Sequence, residues 1–170
     1  DSPNELRAAI KEKNKINNKA RMVAGYCWDW KSDKNPAVND VVIPEFDFGM
    51  QWNLRTDGSL WIIKPESVNQ VGCIHTCQGL EVDYIGVIIG EDLVVRDGKV
   101  MTNPYKRSKN DSSVRGYKKL LAKDPAGGKE LLDLIIKNTY RTLMTRGMKG
   151  CYIYCADKET AEFFRACASI

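Results

Sequence analysis

The chain has 170 residues, 43% hydrophobic and 28% charged, with a formal net charge of +4. That is the length and composition of one globular domain able to bury a core, and its mild basicity permits phosphate or nucleic-acid binding without demanding it. A single histidine argues against a His-based metal site or a His–His relay, and the absence of a signal peptide or of a run of ~18 apolar residues argues against a membrane anchor or span.

The first seventeen residues, "DSPNELRAAIKEKNKIN", open with Ser2, Pro3 and Glu5, an N-cap, a first-turn proline and a capping-box acid. They predict a helix from about residue 3 to 17, its lysines on a solvated face. "ARMVAGYCWDW" reads as a buried strand over roughly 21–28. "KSDKNPAVNDVVIPEFDF" reads as a polar loop with short extended pieces, "MQWNL" as a strand edge or turn, and "TDGSLWII" as a turn and a short apolar run.

"VGCIHT" and "YIGVIIG" are Val- and Ile-rich runs of the kind that form strands covered on both faces, as in parallel sheets. Asp97-Gly98 between "LVVR" and "KVM" predicts a hairpin near 93–101. "TNPYKRSKNDSSVRG" reads as an exposed basic loop, followed by a short helix that stops before Pro125. Leu131, Leu132, Ile135, Ile136, Thr139, Tyr140 and Leu143 form one wide helical stripe, with Gly147 placed as its C-cap. "GCYIYCA" reads as another buried strand. Asp157 then caps a last helix carrying Ala161, Phe164 and Ala168 on one face. Strands alternating with helices predict an α/β fold with a mainly parallel sheet.

The six cysteines, Cys27, Cys73, Cys77, Cys151, Cys155 and Cys167, make no CxxC pair, and several sit inside apolar runs. This usage fits a reducing, cytoplasmic setting without a disulfide framework. Cys73 and Cys77 lack the partners of a zinc site, so no metal site is expected. The chain starts at Asp1 without an initiator methionine, as a piece of a longer protein does.

Between the two central apolar runs lies a polar turn holding His75, Thr76, Gln78, Gly79 and Glu81. In open α/β sheets the carboxyl edge is where ligands bind, and a turn joining two buried strands is expected there. Gly79 lets backbone approach a ligand, Thr76 and Gln78 offer neutral donors and acceptors, and Glu81 suits a ribose hydroxyl or an arginine. The plainer alternative is a capped turn with nothing bound. Arg146, between an apolar helix and a strand, is placed to reach an anion from another domain, although the helix dipole alone also favours Arg there.

Together these segments resemble superfamily 1 helicases. "IHTCQGLEVDYIGVIIG" is similar to their motif V and "YRTLMTRGMKGCYIYC" to their motif VI, in the right order. With "ARMVAGYCWDW" and "QWN", from about residue 20 to 156, the chain more closely resembles the Schlafen-like (group 3) helicase domain family, long catalogued in bacteria as a domain of unknown function. The resemblance implies the second RecA-like domain of a two-domain, ATP-driven motor. ATP with Mg²⁺ would then lie between this domain and an N-terminal RecA-like partner that carries the phosphate loop and the acidic Mg²⁺ site. No GxxxxGK[ST] occurs here, and "PAGGKE" is too short and lacks the preceding strand.

Residue by residue, the resemblance makes Arg146 the arginine finger of motif VI. It places Gly79 and Glu81 near phosphate and ribose, and His75, Thr76 and Gln78 where motif V meets nucleic acid or couples it to ATP. Arg141 is a further candidate for the ATP cleft. Two departures stand out. Gln78 occupies a position often held by Lys, and Arg141 falls where motif VI usually has tyrosine, with Tyr140 one residue earlier.

The remaining candidates carry two readings each. Lys106, Arg107, Lys109 and Arg115 with Tyr105 either track a single-stranded DNA or RNA backbone or form a solvated loop. Trp28, Trp30, Trp52 and Trp61 either stack on bases or fill the core. At the level of function, the alternatives to a motor are a catalytically degenerate nucleic-acid-binding module and a nucleotide switch.

Overall fold

The computed structural model describes residues 2–53, 55–77, 79 and 81–168. Helix α1 (Pro3–Asn17) begins as its capping box dictates: Ser2 Oγ accepts from Glu5 N, and the Glu5 carboxylate accepts from Ser2 N. Strands β1 (Ala20–Ala24), β2 (Val41–Ile43), β3 (Phe48–Trp52), β4 (Gln70–Gly72) and β5 (Val82–Ile89) follow. Next come the hairpin strands β6 (Leu93–Arg96) and β7 (Lys99–Thr102), helices α2 (Tyr117–Lys123) and α3 (Pro125–Met144), strand β8 (Gly147–Cys155) and helix α4 (Lys158–Ala168).

The main sheet runs β2-β3-β4-β1-β5-β8. Only β2 is antiparallel to its neighbour; β3, β4, β1, β5 and β8 are parallel. This is the α/β architecture that the alternating pattern predicts. Alternation along the central strands divides the core between two faces. Met22, Ala24 and Ile88 join Leu6 and Ile10 of α1 on one face. Val23, Ile85, Val87 and Ile89 join Ile136, Tyr140 and Leu143 of α3 on the other. Helix α1 sits close to β5 because residue 86 is glycine: a Cβ there would lie 2.7 Å from Ile10 Cγ1. No helix among the described residues is long and apolar enough to cross a membrane.

Asp97 and Gly98 take φ values of 52° and 70°, so the hairpin closes through a turn left-handed at both central positions. It forms its own two-stranded sheet. The loop after β1 is organised by buried Asp40, whose carboxylate accepts from Lys31 N, Ser32 N, Ser32 Oγ and Trp52 N at 2.5–2.9 Å.

Three expectations need correction. The first strand stops at Ala24 rather than near residue 28, because after Gly25 N bonds Ile88 O the chain turns off the sheet. Helix α3 is capped by Thr145, not Gly147, which opens β8. Strand β8 is not buried on both faces. It lies at the sheet's edge, with Met148 and Ile153 exposed and half-buried residues between.

The hairpin is fastened to α4 through Asp157. Its carboxylate caps the helix, accepting from Thr160 N at 3.0 Å, and takes both Arg96 terminal nitrogens at 2.8 Å. The bonds from Arg96 and then Thr160 hold this carboxyl well below the usual range, against a smaller opposing effect of burial. Removing the cap with Asp157→Ala is expected to cost about 1 kcal/mol in urea unfolding, the ordinary worth of an N-cap. Because the folded value is depressed, the charge contributes stability above the ordinary value of 3.8 and loses it as pH falls from there through the folded value. The advantage of wild type over Asp157→Asn is therefore expected to shrink below pH 3.8, as urea unfolding across pH would show.

Candidate functional site

The polar turn lies along the sheet rather than at one edge of it. Register fixes its path: Gly72 and Val87 both align with Val23, while β5 starts five residues before Val87, at Val82. Residues 73–81 thus leave the carboxyl end of β4 and return to the amino end of β5, about 17 Å at 3.3 Å per residue. The expectation of a turn confined to the carboxyl edge is corrected accordingly. His75 and Thr76 belong to the carboxyl end, and Gly79 and Glu81 to the amino end. Gln78 falls outside the described residues.

At the amino end the turn meets the residues that follow α3. Val82 N donates to Arg146 O at 3.0 Å, and Val82 pairs with Gly147, so Glu81 and Arg146 enter neighbouring strands side by side. Arg146 is half-buried and its Nε donates to Thr142 O at 3.3 Å. Burial pushes the Cys77 thiol up, helped by Cys73, while the Arg146 charge opposes the rise, which places the guanidinium within electrostatic reach of the returning segment. Gly79 is exposed at φ 73°, and nothing lies within 4 Å of the place a Cβ would take. Glu81 and Arg141 are exposed.

At the carboxyl end a cleft of about 310 Å³ opens beyond β1, β3 and β4, lined by Tyr26, Trp30, Asn53, His75, Thr76 and Asn110 among others. Thr76 Oγ1 donates to Asn53 Oδ1 at 2.7 Å, tying the turn to the end of β3. His75 Nε2 lies 3.2 Å from Ser112 Oγ and 3.8 Å from Asp111 Oδ1.

Behind the cleft lies a buried charged group. Asp92, wholly buried, accepts from Tyr140 Oη at 2.5 Å and from Arg107 at 3.1 Å; Arg107 Nε also donates to Asp111. Tyr140 Oη accepts in turn from Gly90 N at 3.0 Å. Burial pulls the Arg107 pKa down, but Asp92 and Asp111 outweigh it and leave it raised. Burial, then Asp92, pushes the Tyr140 phenol up, so Tyr140 serves as a neutral donor.

Residues 1–157 match the family described as Schlafen group 3, DNA/RNA helicase domain. The chain belongs to that family. It is also 26% identical over 165 residues to the uncharacterized protein YPL245W of Saccharomyces cerevisiae, covering 95% of this chain and 35% of that one. The chain thus spans about a third of the length of this relative. No solved structure matches it.

Within this Schlafen-family domain the sequence candidates fall into separate groups. Glu81 and Arg146 lie at the amino ends of β5 and β8, and His75 and Thr76 line the carboxyl cleft. Lys106 is exposed and pairs with Glu91 at 2.6 Å. Arg107 is a correction: placed by its polar surroundings on an exposed loop, it is buried against two carboxylates and offers nothing to a phosphate backbone. Trp52 and Trp61 fill the core, Trp52 stacked on Tyr26 with centroids 5.3 Å apart. Trp30, one of the candidate stacking tryptophans, lines the cleft; Asn53 and Asn110 were missed as cleft residues, because the segments bearing them meet only through the fold. A larger concavity, about 980 Å³, lies elsewhere, between α4, β8 and residues 42–46, and Lys106 lines it.

Arg107→Ala would leave Asp92 and Asp111 buried without their cation. The variant is expected to lose about 3–5 kcal/mol of stability in urea unfolding. A variant of unchanged stability would show that Arg107 is available to a ligand instead.

Proposed function

We propose that this domain is the second RecA-like half of an ATP-driven motor acting on DNA or RNA, contributing one wall of an ATP site completed by another domain of the same protein. The observation that carries this reading is the meeting of Arg146 with Glu81 at the amino ends of β8 and β5, supported by the bond from Val82 N to Arg146 O. Two segments 65 residues apart bring a cation and an acceptor to neighbouring strand ends, with an open glycine two residues before the acceptor, the inventory that a nucleotide phosphate and ribose require.

The donor set fits one wall of a nucleotide site and no more. Arg146 would stabilise charge on the transferring phosphoryl group, Gly79 would admit the ligand closely, and Glu81 would accept from a ribose hydroxyl or hold an arginine. Arg141, exposed on the last turn of α3, is a second cation on the same approach. Mg²⁺ and the triphosphate would rest mainly on the other domain, and the isolated domain would not turn over ATP. The carboxyl cleft with His75 and Thr76 would receive the nucleic acid. The segment joining it to Glu81 is the physical link through which the two ligands would sense each other.

In the full-length protein, Arg146→Ala is expected to lower nucleic-acid-stimulated ATP turnover by about 10³-fold or more, the usual worth of an arginine finger. The fold should be retained, because the bond that docks β8 on β5 uses the Arg146 carbonyl, and loss of the side-chain bond to Thr142 O should lower the thermal midpoint only slightly. Wild-type turnover in a folded variant would overturn the proposal.

A further inference from the structure

Positive charge gathers in two short segments. Over residues 7–21, Arg7, Lys11, Lys13, Lys15, Lys19 and Arg21 stand against Glu12. Residues 109–123 hold Lys109, Arg115, Lys118, Lys119 and Lys123, with Asp111 as the segment's single acid. Asp111 is itself buried against Arg107 and screens nothing at the surface. Among the described residues none of the five cations lies within ion-pair distance of a carboxylate, whereas Arg96, Lys106, Lys137 and Lys149 each do.

The chain runs from the cleft directly into these cations. Asn110 lines it, and Ser112 Oγ lies 3.2 Å from His75 Nε2; Arg115 directly follows the short 3₁₀ turn Ser112–Val114 and α2 begins two residues later. Leu120 and Leu121 turn toward α3, where a Cβ on Gly128 would meet them at 3.2 and 3.3 Å. Lys118, Lys119 and Lys123 are left facing solvent. Beside them Tyr105, 64% exposed, stands edge-on to Tyr117 with centroids 5.4 Å apart.

We infer that Arg115, Lys118, Lys119 and Lys123 form the phosphate track of a single-stranded nucleic acid that leaves the His75 cleft along α2, with Tyr105 as an exposed stacking surface. This rests on the nucleic-acid reading above and assigns it a path. An unpaired cationic row tracks a phosphodiester backbone without regard to sequence, and adjacent aromatic faces accept any base. A cleft walled by Tyr26 and Trp30 and edged by Asn53, Thr76 and Asn110 offers stacking and hydrogen bonding to one base at the track's end.

The test uses the full-length protein and fluorescently labelled oligo(dT) and oligo(rU), with affinity measured across a salt series. Neutralising Lys118, Lys119 and Lys123 together to glutamine is expected to weaken binding. The slope of log affinity against log salt should flatten by about 2, at roughly 0.7 for each lost phosphate contact. ATP turnover without nucleic acid should be unchanged. A control with Lys13, Lys15 and Lys19, from the other cationic segment and far along the chain from α2, neutralised in the same way should keep the wild-type slope. Flattening on one polymer alone assigns DNA or RNA as the ligand and supports the track. Wild-type binding with an unchanged slope in the α2 variant, or equal flattening in the control, would overturn the track while leaving the motor reading intact. Wild-type protein that binds neither polymer would overturn both.

Discussion

A single buried carboxylate governs how the layers of this domain fit together. Asp92 lies just past the end of β5 with no access to water. A charge there is tolerated only if donors surround it. They come from far apart in the chain: the phenol of Tyr140 on α3, the guanidinium of Arg107 from the loop after the hairpin, and through Tyr140 the amide of Gly90. Satisfying Asp92 therefore sets where α3 lies against the sheet and where the loop crosses its carboxyl end. The same loop then presents Asp111 and Ser112 to His75. The cleft residue His75 thus rests against a loop held by a polar core whose members hold one another in place.

Close approach makes that arrangement possible. Tyr140 reaches the sheet's end because residue 25 is glycine; a Cβ there would lie 1.9 Å from the hydroxyl. Gly86 does the same service for α1 on the opposite face. Neither glycine takes an unusual backbone angle, so their value lies in the missing side chain. The geometry at both ends of the turn follows from these contacts together with the parallel register.

What the amino-acid sequence disclosed, and what it concealed, follows from the range of the interactions involved. The capping box of α1, the Asp97-Gly98 hairpin and the stripe of α3, apart from exposed Leu131 near its start, were legible because each is written within a few residues. The parallel sheet was legible from continuous apolar runs. Arg107 was misplaced because its partners, Asp92 and Asp111, become neighbours only after the hairpin has formed; in sequence it is one cation among Lys106 and Lys109, which are exposed. Strand β8 looked buried because an edge strand resting on half-buried tyrosines has nearly the composition of a central one. The return of residues 73–81 along the sheet was hidden because nothing in the turn itself encodes strand register. Glu81 and Arg146, grouped by the motif resemblance, precede paired residues of neighbouring strands.

The segregation of charge has a kinetic meaning. An exposed cationic segment beside a cleft makes the surface potential uneven, and an uneven potential in the field of a polyanion produces torque before contact is made. Encounters with a charged strand would thus be biased toward the cationic segments, α2 and the neighbouring cleft among them. Collisions would begin already oriented, raising the association rate at low ionic strength and fading as the Debye length shortens. Such a protein selects its docking face in solution, by rotation, ahead of any recognition by shape.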